Sequence, residues 1–216
     1  MRDAFHADLD ALNSQLVTMS TSVTQAMRSA STALLDRDRV LARGVIDADA
    51  HINAMQYAVD DEVINIMTRH QPIAGDLRFI LGAVRIGTDL ERMGDMAVHV
   101  AKLAERDAPG CAVPRTQPIF AAMSQIAVRI ADKTTGILVS RDVLDASQFD
   151  LDDDEMDAQF DRLMRVLGEG WSHGAEAAVD VAMLGRSFER YADHAVRVAH
   201  QIVYLVTGEV HLGRGS

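Results

Sequence analysis

Two acids four residues apart, with an arginine between them, occur twice in this chain. The first copy is Asp89-Leu90-Glu91-Arg92-Met93-Gly94-Asp95-Met96-Ala97-Val98-His99-Val100-Ala101. The second, 98 residues on, is Ser187-Phe188-Glu189-Arg190-Tyr191-Ala192-Asp193-His194-Ala195-Val196-Arg197-Val198-Ala199. On a helix, residues four apart stack on one face, one turn above the other. Each copy therefore offers two carboxylates, Glu91 and Asp95 or Glu189 and Asp193, to one neighbour. Val84 and Val98 share the face of the first pair, and Ala182 and Val196 that of the second, so both pairs border packed surface. Two carboxylates there are costly unless a cation neutralises them. A hard divalent or trivalent metal ion takes such oxygen ligands. Ion pairing with Arg92, Arg190 or another helix is the alternative. Each of these arginines points ~100° away from the glutamate before it, so it serves the pair imperfectly.

Other groups add to these pairs or say little. At an offset of 104, Asp49 and Asn53 map to Asp153 and Asp157, again four apart. If the helices that carry them face the acid pairs, each half gathers several oxygen ligands. The run Asp150-Leu151-Asp152-Asp153-Asp154-Glu155 is read chiefly as compensation of a helix N-terminal dipole. His99 follows Asp95 by one turn, but the second copy has Arg197 there, so a ligand role for His99 is not duplicated. His194 adjoins Asp193, and His51, His70, His173 and His200 suggest no partner. No Glu is followed by His three residues on, so the paired Glu-x-x-His of di-iron bundles is missing. There is no Gly-rich phosphate loop, no Gly-x-Ser-x-Gly and no His-Glu-x-x-His.

Long helices must position these residues. Leu9, Leu12, Leu16, Met19, Val23, Met27, Ala30 and Leu34 recur in steps of three and four, which predicts one amphipathic helix. A second stripe runs Leu41, Val45, Ala48, Ile52, Met55, Val59, Val63, Ile66 and ends before Pro72. A third helix is expected from Pro72, a favoured first-turn residue, through Ala104. Three of the four prolines then fall between Asp107 and Pro118, which marks a linker. The second half repeats the first. Met19, Leu34, Asp38 and Ala42 map to Met123, Leu138, Asp142 and Ala146 at the offset of 104. Helices are expected over about 119–140, after the acidic run near Glu155, and over about 175–206, with Gly208 as C-terminal cap. The spacing predicts an all-α fold: six long helices in two tandem three-helix bundles, residues 1–107 and 118–208, about a pseudo-twofold axis. The tail from Glu209 to Ser216 looks too short and Gly-rich to pack.

Composition excludes several classes. The net charge of −11 argues against a general nucleic-acid binder and suits divalent cations or basic partner surfaces. The lone Cys111 excludes an intrachain disulfide and suits a reducing compartment. No apolar run approaches the ~18–20 residues of a membrane span, and the N-terminus lacks a secretory h-region. Any membrane role would go through a protein partner.

Gln71-Pro72-Ile73-Ala74-Gly75-Asp76-Leu77-Arg78, followed by Asp89-Leu90-Glu91-Arg92-Met93-Gly94-Asp95, resembles the first-repeat signature of the PhoU family of phosphate-transport regulators. Phe188 to Ala195 with Ile202-Val203-Tyr204-Leu205-Val206-Thr207-Gly208-Glu209 resembles the second. The resemblance covers almost the whole chain. It implies a duplicated three-helix bundle and a cytoplasmic, often homodimeric regulator rather than an enzyme. It implies a negative regulator of phosphate uptake and of the starvation response, linking the transporter's ATPase subunit to a sensor histidine kinase. Some members bind multinuclear iron or other metal clusters at Glu-x-x-x-Asp motifs, matched here by Glu91, Asp95, Glu189 and Asp193. One turn later this sequence has His99 and Arg197 where members often carry Asn. Arg197, close to Asp193, is expected to substitute for metal in the second half, so the first-half pair is expected to bind more tightly. A metal-dependent helical-bundle enzyme and a purely structural scaffold are the other readings.

Overall fold

A computed structural model describes residues 2–209; the tail from 210 to 216, expected not to pack, lies outside the described residues. Six long helices and one short one make up the fold, with no strand among the described residues. They are α1 (Arg2–Asp36), α2 (Arg39–Arg69), α3 (Ala74–Glu105), α4 (Gln117–Ser140), α5 (Val143–Ser147), α6 (Phe149–Gly168) and α7 (Gly174–Thr207). The apolar stripe of α1 is the core stripe: Leu12, Leu16, Met19, Val23, Met27 and Ala30 are all buried. α1 packs on α2 and α3, and α4 packs on α6 and α7. The halves join through α3 against α7 and α1 against α4. α2, α3, α7 and α6 thus form one layer backed by α1 and α4.

The repeat in sequence is a repeat of contacts. Asp38 caps α2, accepting bonds from the Val40 and Leu41 amides at 3.0 and 2.9 Å. Its counterpart Asp142 caps α5, accepting from the Leu144 and Asp145 amides at 2.7 and 3.3 Å. Such a cap satisfies amide donors that the first helical turn leaves unpaired. Gly87 lies against Val59, and its counterpart Gly185 lies against Leu163, the counterpart of Val59. A β-carbon at Gly185 would collide with Leu163. Small residues at these points let α2 approach α3, and α6 approach α7. Both approaches bring the acid stripes together.

Three boundaries differ from the sequence expectation. α3 begins at Ala74 rather than Pro72, because Ile73 stays extended (φ −127°, ψ 152°) and Ala74 takes φ 46°. Pro72 belongs to the turn. The helix equivalent to α2 is divided in two: α5 ends where the Ser147 hydroxyl donates to the Leu144 carbonyl, and α6 starts at Phe149. The acidic run therefore lies inside α6, not before it. The linker is docked rather than loose. Residues 109–112 form a 3-10 turn whose Gly110 amide donates to Asp180 on α7 at 3.4 Å, and Arg106 pairs with the same buried carboxylate. At the opposite end Gly208 closes α7 with φ 77°, as expected, and Arg78 fills the space where a β-carbon would lie.

Candidate functional site

On α3, Glu91 and Asp95 project between α2 and solvent. Gly94 makes this possible: a β-carbon there would lie 3.2 Å from Ile52, so α2 comes close. Asp49 and Asn53 face the pair from α2. Asn53 donates to Asp49 at 3.2 Å, and one buried oxygen of each side chain is left without a partner. Arg92 serves the pair better than its helical position predicts. Its long chain folds back, Nε lying 3.4 Å from Glu91 Oε2 and Nη1 3.0 Å from Asp95 Oδ2. Burial raises the Glu91 carboxyl above its ordinary range, and Asp95 adds to this while Arg92 opposes it.

The second half carries more unopposed negative charge. Asp153 and Asp157 on α6 face Glu189 and Asp193 on α7, so four carboxylates meet where the first half has three and an amide. Burial pushes Asp153 up to about 7, reinforced by Asp157, Asp193 and Glu189. Burial also pushes Glu189 up to about 7, reinforced by Asp193 and opposed by Arg186. Asp157 is raised as well, by burial and then by Asp193. One oxygen of Asp153 and one of Glu189 are buried without a hydrogen-bond partner. Arg186, one turn before Glu189, pairs with its other oxygen. Arg190 makes no such bond, although it is the counterpart of Arg92.

Two expectations are corrected here. Arg197 does not turn to Asp193 in place of a metal. It reaches across to Asp89 on α3 at 3.8 Å, where the His194 ring also donates from Nδ1 to Asp89 Oδ1 at 2.9 Å. The ground for weaker cation binding in the second half is therefore gone, and its fourth carboxylate, Asp157 where the first half has Asn53, now favours that half. The acidic run is also more than a dipole device. Asp152 is buried and paired with Arg129 at 3.1 Å and Lys133 at 2.5 Å, while Asp153 faces the acids of α7. His194 adjoins Asp193 in sequence, but its partner in the fold is Asp89. It has no histidine counterpart in the first repeat, its place there being Met96. His99 is exposed, while His70 and His200 pair with Asp8 and Asp150 at 3.0 and 3.2 Å.

Among the described residues, no three His, Cys, Asp or Glu side chains converge closely enough to hold a metal ion as they stand. The donor set nevertheless fits a hard cation. It consists of oxygen ligands only, on facing helices, with buried oxygens unsatisfied in both halves. A small movement of Arg92 or Arg186, both half-exposed, would free the carboxylates they hold.

Comparison with known proteins agrees with the duplicated architecture. The PhoU domain family matches residues 16–104 and again 120–202. A Mycobacterium tuberculosis protein, phosphate-specific transport system accessory protein PhoU homolog 1, is 39% identical over 210 residues, covering 96% of this chain and 95% of its own. PhoU homolog 2 from the same organism is 38% identical, covering 96% of this chain and 99% of its own. The crystal structure of PhoU from Pseudomonas aeruginosa superposes with a TM-score of 0.87 at 29% identity, covering 95% of this chain and all of that one. With both repeats matched and relatives alike over nearly their full length, this chain belongs to the PhoU family.

Proposed function

We propose that this protein is an accessory regulator of a phosphate-specific transport system, damping uptake and the starvation response when phosphate is plentiful. The observation that carries the reading is the likeness over 96% of the chain to relatives named as accessory proteins of that system. The family is one of accessory regulators, not of enzymes. We propose further that the protein acts in the cytoplasm as a homodimer, joining the transporter's ATPase subunit to a sensor histidine kinase. No described helix is long and apolar enough to cross a membrane, which is compatible with contact to a membrane only through partners.

In this reading Glu91 and Asp95, and Glu189 and Asp193 with Asp153 and Asp157, hold a divalent or trivalent cation, iron being one candidate. The bound ion would supply positive charge to carboxylates that burial and mutual repulsion now disfavour. Deleting the gene should raise starvation-gene expression in phosphate-rich medium. Unchanged expression, in a strain with no second copy of the gene, would sink the regulatory reading.

A further inference from the structure

Arginines run along the outer side of the α3–α7 contact in a chain whose net charge is −11. Arg85 and Arg92 are seven residues apart on α3, as are Arg190 and Arg197 on α7. A heptad drifts only ~20° around a helix, so each pair lines one stripe. Arg186 lies one turn before Arg190. All five side chains are exposed. The two helices run antiparallel: Asp89 meets His194 and Arg197, Gly82 lies against Leu205, and Arg106 meets Asp180. The stripes therefore flank one seam, Arg85 standing one turn from Asp89 on one side and Arg197 reaching it from the other.

The seam lies between the two acid clusters, and those clusters hold part of it. Glu91 and Asp95 tie up Arg92, and Glu189 ties up Arg186. Asp89 takes Arg197. Arg85 and Arg190 have no ion pair among the described residues. As it stands, three of the five arginines are held by acids within the fold. A cation on each acid cluster changes that, because the carboxylates would turn to the ion and release Arg92 and Arg186. Four of the five arginines would then be without an internal partner, on a strip one helix wide. Guanidinium groups in this arrangement recognise carboxylates by paired hydrogen bonds.

We infer that the α3–α7 seam is a docking strip for an acidic helical segment of a partner protein, strengthened when cations occupy the flanking acid clusters. This rests on the cation reading above and names the partner chemistry that reading lacks. The shape of the charge excludes broad polyanions. Beyond the cation clusters the acid stripes end in Asp60 on α2 and Asp161 on α6, which no cation neutralises and which would repel a nucleic-acid duplex or an anionic lipid surface lying across the seam.

The test uses the full chain and a fluorescein-labelled Glu-rich helical peptide, with Mn²⁺ as the probe cation. Mn²⁺ binding is measured separately by its paramagnetic resonance signal. With Mn²⁺ bound, peptide affinity should rise by about tenfold over the chelator-treated protein and fall with added salt. Arg85→Glu with Arg190→Glu should abolish the gain. Neither residue holds a structural ion pair, so the fold should survive. Arg162→Glu, half a turn round α6 from Asp153, should leave the gain intact. If Mn²⁺ binds and peptide affinity does not change, or if the seam and control variants behave alike, the docking strip is wrong while the cation site stands. If Mn²⁺ does not bind at all, the cation reading fails and the gated strip fails with it. Tighter binding of duplex DNA or of phosphatidylglycerol vesicles than of the peptide would overturn the assigned partner.

Discussion

Asp153 concentrates the unfavourable electrostatics of the site. Its carboxyl, pushed up to about 7 by burial and by Asp157, Asp193 and Glu189, has one buried oxygen with no partner. In an unfolded chain it would titrate near the ordinary ~3.9. Because the folded value is the higher one, the native state holds this proton between those limits and loses stability as pH rises through the folded value. Metal-free protein should therefore melt lower at about pH 8 than at about pH 5.5, with Glu189 acting in the same direction. Asp153→Asn should stabilise the metal-free protein at the higher pH by about 1–2 kcal/mol after allowance for solvent screening, seen as a higher melting temperature, and much less at the lower pH. Added Mn²⁺ should stabilise the wild type more than the variant. Glu189→Ala with Asp193→Ala should remove more bound metal than Glu91→Ala with Asp95→Ala. Calorimetric melting with elemental analysis checks all of this. An Asp153→Asn protein that melts lower at both pH values would show that the carboxylate is a favourable ion-pair partner. The acids themselves were legible in sequence, because duplication at two offsets singled out Glu91, Asp95, Glu189, Asp193 and then Asp153. Which cation each acid meets was not legible. Arg92, Arg186 and Arg197 are long, flexible chains whose direction is set by packing, and helical angle alone misassigned Arg92 and Arg197.

At the scale of elements, periodicity located the helices but not every turn. The stripes of α1, α2, α3 and α7 needed only apolar spacing, since each buries one face against the core. The division between α5 and α6 was not visible, because the competing Ser147 hydroxyl bond is local and leaves the hydrophobic pattern almost unchanged. The docked linker was hidden for another reason. Proline and glycine between Asp107 and Pro118 signalled a break, and only the fold shows that Gly110 is pressed onto the α7 backbone. A β-carbon at Gly110 would lie 2.8 Å from the Ala177 carbonyl oxygen and 3.0 Å from the Val181 nitrogen. Neither backbone atom can rotate away. Gly136, by contrast, is exposed in the interior of α4 with nothing near its missing β-carbon. Gly136→Ala should stabilise the protein by about 1 kcal/mol, through helix propensity alone. Gly110→Ala should destabilise it by about 2 kcal/mol, by forcing the linker off α7 and loosening the Arg106–Asp180 pair. Urea unfolding of the two variants beside the wild type checks the signs. Equal destabilisation by both would mean that the space around these glycines is not what decides.

The whole molecule behaves as one packing unit, although its sequence reads as two. Leu90, Met93 and Ala97 of α3, and Tyr191, Ala195 and Val198 of α7, are buried with the rest of one continuous core. Separated halves would expose these surfaces to water, along with the Ser20–Thr135 and Thr24–Ala131 bonds between α1 and α4 at 2.8 and 3.2 Å. The Arg141 guanidinium adds a further tie, standing 4.7 Å over the Phe79 ring of the other repeat. Repeats that share this much apolar surface are not free to melt singly, because the first to unfold strips the second of its cover. Unfolding should then be a single cooperative transition. Trp171, the chain's one tryptophan, lies in the connection between α6 and α7 and reports on the second half alone. Helical circular dichroism reports on both halves. Their urea curves should coincide in midpoint and slope, in metal-free protein, where no ion adds stability to one half over the other. If the tryptophan signal is lost while about half of the helical signal persists, the halves are separate folding units and the shared core is not what holds them.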